Sequence, residues 1–476
     1  MTEHTDVLIV GGGSTGLTAA YRLSSRGVRV LVAEASPRVG GVVETEYAGG
    51  QLLEHGPFSV MARSDEFRQL IAELGLDATE VNADASKRRY IQRGGRLRPV
   101  PTSPGSLLTS SLLSPLGKAR VLSGLLRSPP PTRADDLSVY DAAERRLGRE
   151  AARRIVGPGC VGIFAAEADE LDLSACMPRI ASVDREVASG LALMRAARTE
   201  SEGSSDRKML SFNGGLGAMI DALQQRLQDD IHTQSPVDSL RELSPVRGFM
   251  AQVGTRTVRA NSVVVTTGAH QAASIVSELS PSAATQLRHV RNADLGVVHM
   301  VFERESIRHP MDGFGYLVPK EEPCTEPVLG VIWPASVFPH QAQAGTVLVR
   351  AMVGGTRWPT ALDDDDSALI SRTLDSITPV MGVEGRPLLS RVVRWPASVP
   401  VYDLGHAERV ASIQQAVDEV AGLCLAGSWI CGPTGGLGVN DRVRHAWQTA
   451  DQIVESMLPR RAQSLEPKLG ERMVSA

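Results

Sequence analysis

The segment that most constrains the fold is residues 7 to 41, VLIVGGGSTGLTAAYRLSSRGVRVLVAEASPRVGG. An apolar, β-branched run leads directly into a glycine turn, an Ala- and Leu-rich stretch follows, and a second apolar run ends beside Glu34. In the turn, Gly11 permits a tight bend, Gly13 lets the backbone approach a pyrophosphate, and Gly16 lets the helix pack closely on the strand. The helix N-terminus attracts phosphate, and a carboxylate at Glu34 can accept the ribose hydroxyls. The segment therefore predicts a dinucleotide-binding βαβ unit.

The same turn also satisfies a second motif. The run Gly12-Gly13-Ser14-Thr15-Gly16 fits the G-x-S-x-G pattern of a hydrolase nucleophile. A hydrolase of that type needs an oxyanion-forming strand before the turn, and only ten residues precede Gly11. The dinucleotide interpretation is therefore favoured.

The residues after Glu34 indicate which dinucleotide is bound. Arg38 and the Gly40-Gly41 pair open a second glycine-rich stretch, RVGGVVETEYAGGQLLEHGP. This stretch resembles the flavin-binding motif of the amine oxidase, phytoene desaturase and protoporphyrinogen oxidase superfamily, in which the pair abuts the FAD pyrophosphate. The resemblance implies FAD as the cofactor. Since no His or Cys stands at a flavinylation motif, we expect the FAD to be bound non-covalently.

Composition excludes several classes of function. A chain of 476 residues exceeds the usual size of one core, so two or three domains are expected. The net charge of −4 gives no case for nucleic-acid binding, and the histidines form no HExxH motif, so no metal site is predicted. The five cysteines form no CxxC pair, and we find neither a signal peptide nor an apolar run of about 18 residues. These features favour a cytoplasmic enzyme.

A leucine-rich segment at residues 101 to 131 allows two interpretations. Its leucines lie beside Lys118, Arg120 and Arg127, a pattern typical of helices that rest on a membrane surface. Packing against the following helices explains the pattern equally well. We therefore leave open a peripheral contact with the inner face of the membrane.

The predicted fold class is α/β: a Rossmann-type FAD-binding domain, an α+β substrate domain and a helical insertion, as in p-hydroxybenzoate hydroxylase and monoamine oxidase. The distant segments SFNGGLG and NSVVVTTGAH supply a helix and a strand that can complete the nucleotide-binding sheet. Residues 295 to 355 predict an antiparallel sheet, and residues 134 to 200 predict helices. The predicted boundaries are 1–85, 207–270 and 405–458 for the FAD-binding domain, 86–100 and 271–404 for the substrate domain, 101–206 for the helical domain, and 459–476 for a disordered tail.

From about residue 5 to 458, the chain resembles the bacterial protoporphyrinogen and coproporphyrinogen oxidases. The matching segments keep their order: EHGP, SKRRYIQRGGRLRPVP, GIFAAEADELDLSA, FNGGLGAMIDAL, GFGYLVP, AMVGG, RWPASVPVYDLGH and LGVND. The FAD segments occur across the whole superfamily. GFGYLVP and RWPASVPVYDLGH are more specific to the porphyrinogen branch.

The resemblance implies roles for individual residues. Arg89 matches an arginine proposed to pair with a substrate propionate. Phe314, Leu317 and Met352 match apolar residues that sandwich the tetrapyrrole, and Gly162 lies where a backbone carbonyl faces it. Residues expected to hold the FAD are Gly11, Gly12, Gly13, Ser14, Thr15, Gly16, Glu34, Ala35, Arg38, Gly40, Gly41, Val237 along the adenine, and Gly427, Val439 and Asp441 near the pyrophosphate and isoalloxazine.

The implied chemistry requires such a pocket. Oxidising a porphyrinogen removes a hydride from a carbon bridge and a proton from a pyrrole nitrogen, three times over, with FAD as the acceptor. A flat apolar macrocycle suits aliphatic and aromatic walls with a cation at its acidic rim. No side-chain base is obligatory and none is assigned, and the reduced flavin is expected to pass its electrons to O2 or another acceptor.

Residue patterns alone leave other interpretations open. Arg89 also fits an exposed basic surface, and Phe314, Leu317 and Met352 also fit a core. The chain departs from the family pattern at four places, which weaken the transfer of the substrate. These are Phe58 in place of Asn, Ala166-Glu167 in place of Gly-Asp, Gly268 in place of Pro, and a longer loop in GSWICGPTGGLGVND.

The predicted function is oxidation of protoporphyrinogen IX or coproporphyrinogen III in haem biosynthesis. The alternative keeps the fold but oxidises an amine or a specialised metabolite, with Tyr402 and Trp429 supplying part of an aromatic cage. A flavoprotein monooxygenase or a non-catalytic flavin-binding partner remains as a further hypothesis. The sequence leaves both a monomer and a homodimer open.

Overall fold

In the part of the chain that the structure describes, two large β-sheets of seven strands each form the frame of the protein. The coordinates are those of a computed structural model, which describes residues 2–79, 81, 83–126, 137–178, 180–182, 209–243, 247–323, 326–430 and 436–457. The predicted disordered tail, 459–476, lies outside the described residues. So do residues 431–435, the centre of the loop expected to be longer than in the family.

The strands are numbered in chain order. They are β1 Thr2–Val10, β2 Val30–Ala33, β3 Thr45–Ala48, β4 Gln51–Glu54, β5 Val60–Met61, β6 Ala78–Thr79, β7 Arg89–Arg93, β8 Arg96–Pro99, β9 Met209–Phe212, β10 Ile231–His232, β11 Val237–Glu242, β12 Phe249–Val253, β13 Arg256–Val265, β14 Asn292–Glu303, β15 Gly315–Leu317, β16 Val328–Ile332, β17 Thr346–Gly354, β18 Leu389–Pro400 and β19 Leu423–Leu425.

The helices follow the same numbering. They are α1 Ser14–Ser24, α2 Asp65–Leu74, α3 Ala83–Lys87, α4 Pro104–Thr109, α5 Pro115–Leu126, α6 Val139–Leu147, α7 Arg149–Ala151, α8 Gly157–Phe164, α9 Leu173–Cys176, α10 Gly217–Arg226, α11 Ala269–Ile275, α12 Pro281–Arg288, α13 Pro334–Val337, α14 Asp366–Met381, α15 His406–Asp418 and α16 Val439–Met457. A π-helical turn spans Ala152–Val156, and 3-10 turns span Arg304–Ser306, Pro339–Gln341 and Ala361–Asp363.

The first sheet has the order β10-β2-β1-β13-β12-β11, and β19 pairs with the second half of β13. Its central strands β2, β1 and β13 are parallel, with Val10 opposite both Ala33 and Val265. The distant strand NSVVVTTGAH therefore completes the sheet as predicted. Apolar cores cover both faces, one formed with α1, α10 and α16 and the other with α11, α12 and α15. Burial on both faces explains why these strands read as continuous apolar runs.

The second sheet has the order β18-β14-β17-β16-β15-β7-β8. Its pairs are antiparallel except β15 with β7, which confirms the antiparallel sheet predicted over residues 295 to 355. One face packs against α14 around the fully buried Trp333. The opposite face receives the β3–β4 hairpin, where Leu53 packs on Val301 and Leu348. Side chains on that second face therefore lie between the substrate sheet and the glycine-rich segments.

The helical prediction for residues 134 to 200 is correct over part of the described range, while residues 134–136, 179 and 183–200 lie outside the described residues. Helices α6 to α8 run almost continuously to Phe164, where Ala165 adopts a left-handed φ of 51° and ends the helix. Between α8 and α9 the chain forms turns and isolated bridges rather than helix. Within the described residues, no helix is both long and apolar enough to cross a bilayer.

Candidate flavin and substrate site

The first glycine turn has the shape that a dinucleotide requires. Gly11 has a φ of +106°, and a Cβ on Gly16 would lie 1.9 Å from the carbonyl oxygen of Gly11. A Cβ on Gly13, in contrast, would meet no atom within 4 Å, so the Cα of Gly13 faces open space. Gly13 is the residue immediately before α1, and its backbone has an extended conformation. The turn is therefore closed on the protein side and open where a pyrophosphate would approach.

Two buried hydroxyls at this turn have no partner within the described structure. Ser14 Oγ belongs to the first residue of α1 and is only 2% exposed, and Thr267 Oγ1 lies just beyond β13. Thr15, the next residue of α1, is also buried. Because a buried hydroxyl without a hydrogen bond is unfavourable, these groups fit a ligand with acceptor oxygens at the helix N-terminus.

Glu34 lies at the end of β2, as predicted. One carboxylate oxygen accepts the Gly12 amide at 2.6 Å, and the other accepts the Ser36 amide at 2.8 Å. Ala35 is exposed beside it, and the Ser235 amide donates to the Glu34 carbonyl, which brings the start of β11 at Val237 close to this strand end. The Ser36 hydroxyl also donates to the oxygen that accepts the Ser36 amide, at 2.6 Å, so the oxygen that accepts the Gly12 amide is the one with a lone pair left for a ribose hydroxyl.

The second glycine turn docks on the first. The Gly40 amide donates to the Gly12 carbonyl at 2.8 Å, and a Cβ on Gly41 would lie 3.4 Å from the Cα of Gly13. Arg38 secures the turn because its guanidinium donates to the carbonyls of Val39 and Gly41 and to Glu44. The structure thus brings together both glycine turns and Glu34, as the sequence predicts.

The C-terminal residues reach the same region through α16, which packs on the same face of the first sheet as α1. A Cβ on Gly427 would lie 3.4 Å from the carbonyl of Thr267. Val439 is buried at the start of α16, and Asp441 lies in the first turn of that helix. The prediction did not single out Asn440, although its side-chain oxygen accepts the amides of Arg63 and Ser64 and fixes α16 against α2.

The predicted substrate residues lie on one face of the second sheet. The register places Leu317, Gly330 and Met352 side by side on adjacent strands. Arg89 pairs with Gly315, two residues before Leu317, so Arg89 points to the same face. A Cβ on Gly162 would lie 2.7 Å from Leu317 Cδ2, which shows how closely α8 approaches this row. Gly162 is exposed, and Leu317 and Met352 are half-buried.

Arg89 lies over an aromatic ring. Its guanidinium carbon is 4.7 Å from the ring centroid of Phe314, and desolvation lowers the pKa of the guanidinium from its ordinary value. No carboxylate within the described residues forms an ion pair with it. Phe58, the aromatic departure from the family pattern, packs edge-on against Phe314 at 5.3 Å. Arg89 therefore presents a free positive charge at the edge of an apolar wall.

The proposed aromatic cage of an amine oxidase does not form from Tyr402 and Trp429. Both side chains are only 2% exposed, and they belong to different cores. Tyr402 donates to the Ser428 carbonyl and stacks on His406, while Trp429 donates to the Thr267 carbonyl. Both rings are buried, so the structure does not favour the aromatic cage that the sequence left open.

Sequence reasoning also missed a polar layer beneath the β3–β4 hairpin. Glu54 is buried, which raises the pKa of its carboxyl to about 7, and it accepts the Leu216 amide and the Thr45 hydroxyl, each at 2.7 Å. Arg350 on β17 donates to the backbone of residues 54 and 56. The signal was present in the sequence, because an arginine interrupts the apolar strand VLVRAMV.

Metal-binding chemistry finds no support in the described residues, which contain no group of three or more His, Cys, Asp or Glu side chains able to hold an ion. Among the described residues, Cys160, Cys176 and Cys424 form no disulfide bond. The arrangement of glycine turns, strand-end acid and apolar sheet face is instead that of a flavin-dependent oxidoreductase.

The comparisons with known proteins agree with this class. Residues 14–454 match the family of flavin containing amine oxidoreductases, and the chain belongs to that family. It is 30% identical, over 96% of its length and 92% of the relative's, to a protein of Propionibacterium freudenreichii subsp. freudenreichii named coproporphyrinogen III oxidase. It is also 30% identical, over 94% and 89% of the two lengths, to the chloroplastic protoporphyrinogen oxidase of Oryza sativa subsp. japonica.

A solved structure shares the whole fold. The crystal structure of a candidate protoporphyrinogen oxidase from Exiguobacterium sp. 255-15 superposes with a TM-score of 0.82 at 24% identity, covering 96% of this chain and 99% of that one. The predicted family, the α/β flavoprotein fold and the assignment as a flavin-dependent oxidoreductase are thereby confirmed.

Proposed function

We propose that the protein is an FAD-dependent oxidase that dehydrogenates protoporphyrinogen IX or coproporphyrinogen III to the porphyrin in three two-electron steps, as part of haem biosynthesis. The names of its relatives support this substrate class. The observation that carries the proposal is the free charge of Arg89 stacked on Phe314, beside the apolar row of Leu317 and Met352. A macrocycle with an apolar face and an acidic edge matches both features.

The residues at the glycine turns are suited to FAD. Gly13 leaves space for the pyrophosphate, Ser14 Oγ and the N-terminus of α1 offer hydrogen-bond donors, and Glu34 offers acceptors to a ribose. Bound FAD supplies the hydride acceptor. We infer that it is held non-covalently and that O2 or another acceptor removes the electrons.

The substrate residues bind and orient rather than transfer protons. Leu317 and Met352 carry no acid or base, so their contribution is an apolar surface that fixes the plane of the macrocycle and excludes water. Gly162 is expected to face the macrocycle with its backbone carbonyl. Arg89 is expected to pair with a carboxylate at the rim, which selects one edge of the substrate. No catalytic side chain is assigned beyond the flavin.

We also propose the three-part division of the chain given by the sequence boundaries. The sheet that joins β7 and β8 to β14–β18 supports grouping residues 86–100 with 271–404. For the helical part, a peripheral membrane contact is supported by three exposed apolar side chains, Leu108, Leu116 and Leu126, which are 58%, 81% and 76% exposed.

The test is the rise of porphyrin fluorescence when the purified protein meets freshly reduced coproporphyrinogen III or protoporphyrinogen IX in air. Gly13→Asp, which places a carboxylate in the phosphate space, is the control for spontaneous oxidation. A rise that needs the flavin and is faster with one substrate would support the proposal and identify that substrate. If folded, yellow protein gives no rise in porphyrin fluorescence above the control, the result would favour an amine or a specialised metabolite as the substrate.

A further inference from the structure

Arg350 is a buried cation that forms no direct ion pair within the described residues, although the carboxyl of Glu54 lies near enough to interact with its charge. The residue is 5% exposed, its Nε donates to the Glu54 carbonyl at 3.1 Å, and Nη2 donates to the Gly56 carbonyl. Within the described residues no carboxylate forms an ion pair with the guanidinium, and the carboxyl of Glu54 is occupied by Thr45 and Leu216. Burial lowers the pKa of Arg350 to about 10, so it remains charged at neutral pH.

The position of Arg350 connects the two halves of the site. Gly56 lies against the chain that follows the second glycine turn, since a Cβ on Gly56 would be 1.8 Å from the Val42 carbonyl oxygen. In the opposite direction, Nη1 has only the weakly accepting sulfur of Met352, at 3.8 Å. Arg350 therefore lies between the flavin-binding turns and the apolar substrate row, with donor capacity unused on the substrate side.

Glu54, with a pKa raised to about 7 by burial, offsets this charge only in part at neutral pH, and the basic neighbours of Arg350 do not offset it. His299 on β14 lies opposite Arg350 on β17 in the strand register. Burial and the adjacent charge of Arg350 hold the pKa of His299 well below its ordinary value, so His299 is uncharged. Arg391 lies beyond His299 on β18 and forms its own ion pair with Glu46. A buried cation whose charge is offset only in part favours an anion supplied by a ligand.

We propose that Arg350 is a positioning residue whose charge stabilises the reduced flavin as an anion. A neutral oxidised flavin that accepts a hydride becomes a monoanion without taking up a proton, so a nearby guanidinium offsets the charge that forms. Charges near the flavin ring tune its electronics in this way, and the effect is strong where water is excluded. The proposal rests on the flavin site and not on the identity of the substrate.

Sulfite affinity tests this charge without any substrate, because sulfite adds to an oxidised flavin and leaves it negatively charged. Arg350→Gln is expected to raise the Kd for sulfite at least tenfold, equivalent to about 30 mV in a two-electron couple. Arg350→Lys, which keeps the charge, should stay within about threefold of the unmodified protein. Arg391→Gln is the matched control, since it removes a paired arginine from the same row, and should leave the Kd unchanged.

Two outcomes would overturn the proposal. One is an unchanged Kd for sulfite in Arg350→Gln together with a raised KM for the porphyrinogen, which would assign the charge to a substrate carboxylate. The second outcome comes from a pH titration of the reduced flavin in the unmodified protein. This titration can be made even if Arg350→Gln does not bind flavin. The reduced flavin bound to the protein should stay anionic to a lower pH than free reduced FAD. If bound and free reduced flavin are protonated at the same pH, a role for Arg350 is contradicted.

The window for that titration is pH 5 to 7. The titratable groups that face Arg350 are Glu54 on β4 and His299 on β14, with His55 beyond His299 and Arg391 on β18. Glu54 is protonated over most of this range because its pKa is about 7, and His299 is neutral. Glu54 therefore leaves the charge of Arg350 largely uncompensated below about pH 6, and the lower part of the window is the part that tests Arg350.

Discussion

Alanine at Gly13 and at Gly16 should separate flavin binding from folding. Gly13 has φ −70° and ψ 176°, a conformation that alanine adopts freely, and its Cβ would meet no atom within 4 Å. At Gly16 the Cβ would lie 1.9 Å from the Gly11 carbonyl oxygen and 2.7 Å from Thr266 Oγ1. The first substitution therefore changes the space for the ligand, and the second changes the packing of the fold.

The two substitutions should differ clearly in magnitude. Alanine at position 13 restricts the conformations of the unfolded chain, which stabilises the fold by about 0.4 to 1 kcal/mol. Alanine is also a poorer N-cap than glycine, which costs a similar amount. The free energy of unfolding of the apoprotein should therefore change by less than about 1 kcal/mol. Its methyl group occupies the pyrophosphate space, and we expect FAD to bind at least about a hundredfold more weakly, or roughly 2.7 kcal/mol. Gly16→Ala requires a backbone shift and should destabilise the apoprotein by about 3 kcal/mol or more.

Thermal unfolding of the apoproteins with and without FAD measures both effects. At an FAD concentration about 100 times the Kd of the unmodified protein, bound FAD adds about 2.7 kcal/mol of stability, and Gly13→Ala should lose nearly all of this gain. Flavin fluorescence gives the Kd independently. A Gly13→Ala protein that binds FAD with unchanged Kd, or a Gly16→Ala apoprotein of unchanged stability, would refute the reasoning.

Three further predictions concern the rim, the buried layer and the cofactor. Arg89→Ala should raise KM about tenfold while kcat changes little, because a carboxylate pair exists equally in the ground and transition states; a loss confined to kcat in steady-state assays would contradict the rim role. Glu54 has a pKa raised to about 7 by burial, so its stabilising contribution is complete below pH 4.5 and is lost as the pH rises through 7. Glu54→Gln should therefore flatten the fall in urea midpoint between pH 5 and 8, and an unchanged slope would argue against this assignment. Acid precipitation should release all the yellow colour, whereas colour left on the pellet would indicate a covalent flavin.

The parts of the site that local sequence determines were predictable. The turn from Gly11 to Gly16 is built from neighbouring residues, and the register of two parallel strands then places Glu34 beside it. Arg89 and Phe314 were predicted from the resemblance, but their stacking depends on a β7–β15 pairing between segments more than 200 residues apart. Residue patterns alone favoured a core role for Phe314, because an apolar side chain in a strand looks the same in either setting.

Arg350 could not be assigned from the sequence. Its partner, the Glu54 carbonyl, lies 296 residues away along the chain, and the contact exists only because the β3–β4 hairpin docks on the second sheet. The charge within an apolar strand signals a special environment but does not say which element supplies it. The sequence left an aromatic cage from Tyr402 and Trp429 open for the same reason, since burial in separate cores is a tertiary property.

The departures from the family pattern acquire a physical meaning in the folded chain. Phe58 replaces an amide, yet it packs edge-on against both Phe314 and Phe338, at 5.3 and 5.9 Å, and so supports the ring on which Arg89 is stacked. Aromatic pairs of this geometry stabilise by about 0.5 to 1.5 kcal/mol beyond their buried area. The substitution therefore stiffens the wall rather than removing it.

Glu167 acts in a comparable way on the opposite side of the row. Its carboxylate forms a buried ion pair with Arg357 at 2.6 Å, and the same guanidinium donates to the Val318 carbonyl, next to Leu317. The pair thus ties the segment after α8 to the end of β15, the two elements that meet where Gly162 touches Leu317. Both departures therefore reinforce contacts around the apolar row, and neither removes a feature on which the proposed function depends.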